Sequence, residues 1–234
     1  MRPAPVLAPA PALAPALALA PAPALALALA LLLTPSPSAA QTKGDDMPDF
    51  MHHPVVSERR HGFTFGVIAG PSLLTTTATP TEYAKRNPDY EVHLGGVVVP
   101  SMSVFLGVAF ADELSFALEL EPSLAKHGDV KISGRAFAFR LETWPLVSLG
   151  KAYRDFGIAT RFGFGSANFT SISTGDSIAS AGGYSMVGVD LLWDALRLGS
   201  FGFGPTLGVS YRFSATYTQT DVVLGLRSAF YGGP

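Results

Sequence analysis

The chain has 234 residues, a length that suits a single domain, with 16 Lys and Arg against 18 Asp and Glu. The net charge is −2, and the sequence contains no stripe of basic residues. It therefore predicts no nucleic-acid partner. Because there are no cysteines, disulfides, thiolate metal sites and a cysteine nucleophile are excluded.

The first forty residues differ in composition from the rest of the chain. They are almost entirely Ala, Leu and Pro, with Arg2 as the only charge. An early cation, an apolar core at Ala26–Leu33 and a small-residue segment ending at Ala40 are typical of a secretory signal peptide. We therefore predict cleavage after Ala40. The alternative is a membrane anchor, but the longest apolar run without Pro, Ala24–Thr34, is shorter than the ~20 residues of a spanning helix.

Residues 41–61 are polar and lack hydrophobic periodicity, which predicts a flexible periplasmic lead-in. His52 and His53, together with Asp46, Asp49 and His61, would be the candidates for a metal site there. We favour the flexible lead-in and assign no metal ion or cofactor to the chain.

Alternation with a period of two residues begins clearly at Leu114. Between there and Glu121 one face is apolar, and the other carries Ser115, Ala117, Glu119 and Glu121. The same alternation recurs at residues 156–165, 201–213 and 222–230. It predicts a sheet with two unlike faces.

Three features place the apolar face in lipid instead of in a protein core. The predicted strands are roughly ten to fifteen residues long, well above the soluble norm. Their second face is mainly Gly, Ala and Ser, and charged residues make up only 15% of the chain. Aromatic side chains also recur near strand ends, as in the aromatic girdles of membrane barrels. The predicted girdle comprises Phe63, Phe110, Trp144, Phe156, Trp193, Phe201, Phe213 and Phe230.

In hydrocarbon every peptide group must be paired, so a spanning sheet must close on itself. The sequence therefore predicts an all-β, closed, antiparallel, up-and-down barrel between residues 62 and 231, with residues 232–234 as a tail. We predict eight strands, with ten as the alternative, at approximately residues 62–74, 95–110, 113–124, 130–143, 154–169, 182–193, 199–214 and 219–231. An even number places both termini on the periplasmic side. The outward connections are then Thr75–Tyr90, Lys126–Asp129, Ser171–Gly182 and Thr216–Thr220.

Four acids and four bases fall on the inward face of these strands. They are Glu119, Glu121, Arg140, Glu142, Arg161, Asp190, Arg212 and Arg227. An eight-stranded interior is just wide enough for side chains, so we expect these groups to pair and to plug the barrel. Arg135 has lipid-facing parity, so we expect it near the outer rim.

On this pattern the chain resembles the small outer-membrane β-barrels of the OmpA/OmpX type. Barrels of this type end in a strand that the assembly machinery recognises, and Gly225 and Phe230 match the spacing of that signal. The resemblance implies a place in the outer membrane of a Gram-negative bacterium, with membrane lipid and the assembly machinery as partners. It also implies a structural or surface-interaction role through outer loops whose partner the sequence does not name.

Three alternatives stay open at this stage. One is a narrow channel or transporter. Another is a soluble lipocalin-like barrel that binds an apolar ligand. The third is a hydrolase acting on lipid A or peptides with outer-rim groups such as Ser123, His127 and Asp129, although these form no recognisable catalytic constellation and we expect no enzyme.

Overall fold

The computed structural model describes residues 60–87, 92–147 and 153–232. The predicted signal peptide and nearly all of the lead-in lie outside the described residues. The elements are β1 (Gly62–Ala78), α1 (Glu82–Lys85), β2 (His93–Ala111), β3 (Leu114–His127), β4 (Val130–Thr143), β5 (Phe156–Ser171), β6 (Ser177–Trp193), β7 (Leu196–Leu198), β8 (Phe201–Ser214) and β9 (Tyr217–Tyr231). Within these ranges no helix has the length and apolar character needed to cross a membrane.

The sheet closes on itself. Consecutive long strands pair antiparallel, β1 also pairs with β9, and β6 pairs with β8. Eight long strands therefore form the barrel, while the three-residue β7 is an addition paired to the start of β8. This confirms the predicted eight-stranded barrel, and the alternative of ten strands is wrong.

The apolar face of each long strand points out of the barrel. On β3, Leu118 and Leu120 are 40% and 53% exposed, whereas Glu119 between them is 1% exposed. The other long strands repeat this alternation. A soluble lipocalin-like barrel needs the reverse arrangement, with the apolar face packed inside, so that alternative is wrong.

The two ends of the barrel are unlike. One end, here called the terminal end, carries the start of β1 and the end of β9, together with the connections at residues 112–113, 144–155 and 194–200. The opposite end, here called the loop end, carries the connections at 79–92, 128–129, 172–176 and 215–216.

Two strands reach at least four residues further towards the loop end than the sequence predicted. β1 continues to Ala78 instead of ending at residue 74, and β6 begins at Ser177 instead of 182. The predicted strands ended where the alternation of apolar side chains gave way to polar residues. The backbone ladder nevertheless continues, since Thr76 pairs with Gln219 and Asn168 pairs with Ser180.

The β1–β2 connection crosses the loop-end mouth of the barrel. The backbone N–H of Thr79 donates to the carbonyl of Thr216 (2.8 Å), and that of Thr81 donates to the carbonyl of Ile178 (2.6 Å). Thr81 also caps α1, whose Ala84 is buried against the interior. This connection therefore ties β1 to β6 and to the β8–β9 turn, and it helps to cover the mouth.

Candidate functional site: the barrel interior

An apolar cluster of side chains lies in the interior near the loop end. Ile132 and Phe169 are almost completely buried there, in one cluster with Tyr184 and Tyr217. The ring centroids of these two tyrosines lie 5.2 Å apart. Ala84 from α1 belongs to the same cluster, which we call the outer apolar cluster. It fills the barrel beneath the β1–β2 connection.

The middle of the barrel holds a network of ion pairs centred on Arg140. Its guanidinium donates to Glu142 (2.7 Å), Asp190 (2.7 Å) and Glu119 (3.1 Å). All four side chains are at most 4% exposed. One cation thus gathers three carboxylates from β3, β4 and β6.

Two further arginines extend the network towards the loop end. Arg161 pairs with Asp190 (2.9 Å) and lies 3.5 Å from both Glu119 and Glu121. Arg212 pairs with Glu121 and with Asp221. The carboxylates therefore share guanidinium groups, as a low-dielectric interior requires.

Towards the terminal end the network continues through Arg227. Its guanidinium donates to Glu142 (2.7 Å), to Asp194 (2.7 Å) and to the hydroxyl of Tyr231 (3.0 Å). With this link the structure brings all eight sequence-predicted charges together inside the barrel, each of them buried.

Three members of the network were missed by the sequence analysis. Asp221 had inward parity in the last strand, two residues before Val223, but was not included. Asp194 has the parity of Asp190 but follows the predicted end of its strand. Arg60 has the parity of inward Thr64, although it lies just before β1. Applying the alternation throughout the last predicted strand would have found Asp221, and extending it by one or two residues beyond the other two strands would have found Asp194 and Arg60.

Arg60 closes the terminal end of the barrel. The sequence placed it in the flexible lead-in, but its side chain is 1% exposed and pairs with Asp194 (3.2 Å) and Asp155 (3.1 Å). Its guanidinium lies 4.2 Å from the centre of the Trp144 ring, a cation–π contact. We call Arg60, Trp144, Asp194, Arg227 and Tyr231 the floor cluster.

The prediction that Trp144 belongs to an outer aromatic girdle is wrong. Trp144 follows the last residue of β4 and continues the parity of inward Arg140 and Glu142, so its ring points into the barrel and is completely excluded from solvent. It packs edge-on against Tyr231 at 6.4 Å. Gly157 makes room for it, since a Cβ there would lie 2.7 Å from the indole nitrogen.

The buried charges do not balance. Among the described residues, six carboxylates and five arginines are buried, an excess of one negative charge. A cavity of about 10 Å³ lies beside Glu119, Glu121, Arg161 and Thr206, which is room for about one water molecule. The interior beside these residues is thus closely filled.

The barrel resembles the small outer-membrane β-barrels. No protein-family model matches the chain, and no curated protein matches it in sequence. Among solved structures, Neisserial surface protein A is 12% identical, with 70% of this chain and 95% of that chain covered and a TM-score of 0.46. Ail of Yersinia pestis is also 12% identical, covering 73% of this chain and 99% of that one (TM-score 0.43). OprG of Pseudomonas aeruginosa is 13% identical, covering 75% and 100% (TM-score 0.37).

Seven of the eight predicted girdle residues lie on the outward-facing side of the strands. Six of these seven belong to the terminal end, and only Phe213 lies near the loop end. The terminal-end rings form contacts with one another, as in the stacked pair of Phe156 and Trp193 (5.2 Å, 7°) and the pair of Phe201 and Phe230 (5.1 Å). Six of the predicted girdle residues therefore form an aromatic band at the terminal end of the barrel.

Gly225 and Phe230 both lie in β9. Gly225 is buried, with Ile68 and Thr206 close to where a Cβ would stand. Phe230 is half-buried between Phe65 and Phe201. These positions describe the folded strand, and the role of the two residues as an assembly signal stays a prediction.

At the loop end, Asp129 connects two neighbouring turns. Its carboxylate accepts hydrogen bonds from Ser171 Oγ (2.6 Å), Ser173 Oγ (2.9 Å) and the backbone N–H of Ser173 (2.8 Å). These bonds, that of Ser171 foremost, hold the pKa of Asp129 below its ordinary value. Asp129 thus joins the β3–β4 turn to the β5–β6 connection.

Proposed function

We propose that this chain is an integral outer-membrane barrel whose role is to anchor its loop-end connections at the cell surface. The observation that carries the proposal is the inverted arrangement of the strands. Large apolar side chains cover the outside, while eleven charged side chains are buried inside a closed sheet. A closed sheet has no unpaired backbone edge exposed to lipid, and its apolar exterior is compatible with the hydrocarbon core of a bilayer.

The interior supports an anchor more than a pore. A polar solute would have to pass the outer apolar cluster, then the shared ion pairs of Arg140, and finally the floor cluster. The cavity inside holds about one water molecule. In planar bilayers we therefore expect no stable single-channel currents from the purified barrel, and such currents would favour the narrow-channel alternative.

The ends of the barrel give it an orientation. Both termini leave from one end, which we assign to the periplasm, as expected for a chain exported through a signal peptide at residues 1–40. The aromatic band at that end suits the inner membrane–water boundary, where aromatic rings are favoured. The loop-end connections then face outward, and the assembly machinery is the partner during biogenesis. We assign the chain no catalytic reaction.

The two tryptophans provide a direct test of membrane insertion. Trp193 is 43% exposed on the outside, whereas Trp144 is fully buried inside. We expect brominated lipids in reconstituted vesicles to quench the fluorescence of a Trp144→Phe variant, in which only Trp193 emits. The matched Trp193→Phe variant, in which only Trp144 emits, should be quenched far less.

The controls separate insertion from adsorption. Both variants should keep the heat-dependent change in gel mobility of a folded barrel, and the native chain should fractionate with detergent-extracted outer membrane. Equal quenching of the two variants, or recovery of the protein in the soluble periplasmic fraction, would contradict the proposal.

A further inference from the structure

The described strands carry few charges outside the barrel. Apart from the buried network and Arg197 of the short β7, the charged strand residues are Lys126, Lys131 and Arg135. All three are basic and exposed, and they lie on the loop-end halves of β3 and β4. We call these three residues the basic patch.

The three side chains share the outward face of one hairpin. Lys126 is the direct cross-strand partner of Lys131, and Arg135 lies four residues further along β4, opposite Pro122. Strand residues an even number apart point to the same side, so Arg135 and Lys131 face the same way. Inward-facing Val130, Ile132 and Ala136 are buried and confirm this parity.

This arrangement is unfavourable for the protein alone. Like charges directly opposite each other on neighbouring strands repel at a typical Cβ separation of about 5 Å. None of the three makes an ion pair with another described residue; the nearby carboxylate of Asp129 accepts hydrogen bonds from Ser171 and Ser173 instead. The patch therefore has no ion-paired carboxylate within the described part of the barrel.

The patch lies at the border of the apolar surface. On β3 the outward residue before Lys126 is Leu124, which is 63% exposed, and on β4 the one following Arg135 in sequence is Phe137. Next to it on β5, Asn168 is the cross-strand partner of Ser133 and accepts a hydrogen bond from Ser180 of β6 (2.9 Å). On these strands the apolar outer surface thus gives way to basic and polar side chains towards the loop end.

We propose that the basic patch of Lys126, Lys131 and Arg135 binds the phosphate group of an anionic outer-leaflet lipid. The inference rests on the proposed membrane-spanning function, which places the patch at headgroup depth. A phosphate between Lys126 and Lys131 relieves their repulsion, and Arg135 donates to it from below while its stem stays along the apolar surface. Between residues 122 and 135 this hairpin carries no Phe, Tyr or Trp, so the phosphate contact fixes the depth of β3 and β4 on the outer side.

The test measures binding of one lipid to the barrel in a neutral membrane. Full-length mature protein carrying Leu124→Trp beside the patch, with both native tryptophans replaced by Phe, is reconstituted in phosphatidylcholine vesicles, and acyl-labelled phosphatidic acid is titrated while energy transfer from that tryptophan is followed. We expect the triple variant Lys126→Gln, Lys131→Gln, Arg135→Gln to raise the apparent Kd about 100-fold, because each basic side chain at an anionic surface contributes roughly fivefold.

Two control variants isolate the patch. The charge-keeping triple variant Lys126→Arg, Lys131→Arg, Arg135→Lys should bind within a few-fold of the native chain. Arg86→Gln removes a cation from the β1–β2 connection and should change the apparent Kd by no more than about fivefold. If the Gln triple variant binds like the native chain, or if Arg86→Gln weakens binding as much, the inference is wrong.

Two further measurements are needed. One tells a lipid phosphate from a soluble anion, and the other tells failure of the patch proposal from failure of membrane insertion. Inorganic phosphate at millimolar concentration should not displace the labelled lipid, and displacement would assign the patch to a soluble anion. Brominated-lipid quenching of Trp193 in the Trp144→Phe variant, in vesicles of the same kind, reports insertion. Quenching without lipid selectivity overturns the patch alone, whereas absence of quenching overturns the membrane-spanning function on which it rests.

Discussion

Replacing Arg140 by Leu should destabilise the barrel strongly, because three buried carboxylates meet at this one guanidinium. The substitution removes the contacts to Glu142 and Asp190, both 2.7 Å, and to Glu119, 3.1 Å. Removing one partner of a buried ion pair costs about 3–5 kcal/mol, because the remaining charge stays desolvated.

The geometry limits the cost to about the value for a single pair. Each of the three carboxylates keeps a second arginine, since Glu142 still pairs with Arg227, and Asp190 and Glu119 still pair with Arg161. We therefore expect a loss of about 3–5 kcal/mol in the free energy of unfolding and not three times that amount.

The assay is reversible urea unfolding in lipid vesicles, followed by tryptophan fluorescence. The control is Arg135→Leu, which removes the same type of side chain from the exposed outer face and should change stability by about 0.5 kcal/mol or less. Adding Glu119→Gln to Arg140→Leu should recover part of the loss, since it removes one of the stranded charges. A loss below about 1 kcal/mol for Arg140→Leu would refute the structural role assigned to the network.

Three other substitutions test separate features. Gly208→Ala would press a methyl group onto the buried carboxylate beside it and should lower stability by about 1–3 kcal/mol, whereas Gly183→Ala, with open space around its Cα, should be nearly neutral in the same urea assay. Arg60→Ala should open the floor cluster, measured in the Trp193→Phe background as greater acrylamide quenching of the remaining tryptophan; unchanged quenching would argue against closure by this side chain. The lowered pKa of Asp129 means that its contribution to stability is complete above the unfolded-state value of about 3.9 and is lost as the pH falls through the folded-state pKa. An NMR titration should give a midpoint below that value, and Ser171→Ala should move it upward; a midpoint at the ordinary value would contradict the hydrogen-bonded geometry.

The faces of the strands could be predicted from the sequence because side chains alternate strictly along a strand. Once Leu118 and Leu120 were assigned to lipid, Glu119 had to point inward, and the same rule placed every member of the predicted charge set. Strand number followed from the recurrence of the pattern together with the requirement for closure.

The pairing within the interior could not be predicted in the same way. Arg140 meets Asp190 across the barrel, two strands away, and that meeting depends on strand register and tilt, which no single strand encodes. Trp144 and Arg60 were misplaced because both lie just beyond the predicted ends of their strands, although both keep the inward parity of those strands. The polar loop-end parts of β1 and β6 were missed because their strand structure depends on backbone hydrogen bonds, which the alternation of apolar side chains does not report.

The shared ion pairs have a consequence for the order in which the barrel is made. Arg227 of the last strand neutralises Glu142 of β4, and Asp221 of the same strand accepts a hydrogen bond from Ser72 of the first. A sheet that lacks β9 would leave Glu142 and Asp194 with one arginine each, and it would carry the unpaired backbone edges of β1 and β8 into hydrocarbon, at a cost of several kcal/mol for each unpaired group. Chain closure and burial in the membrane must then occur as a single committed event, so that intermediates with fewer strands are held in water or by another protein until the final hairpin arrives.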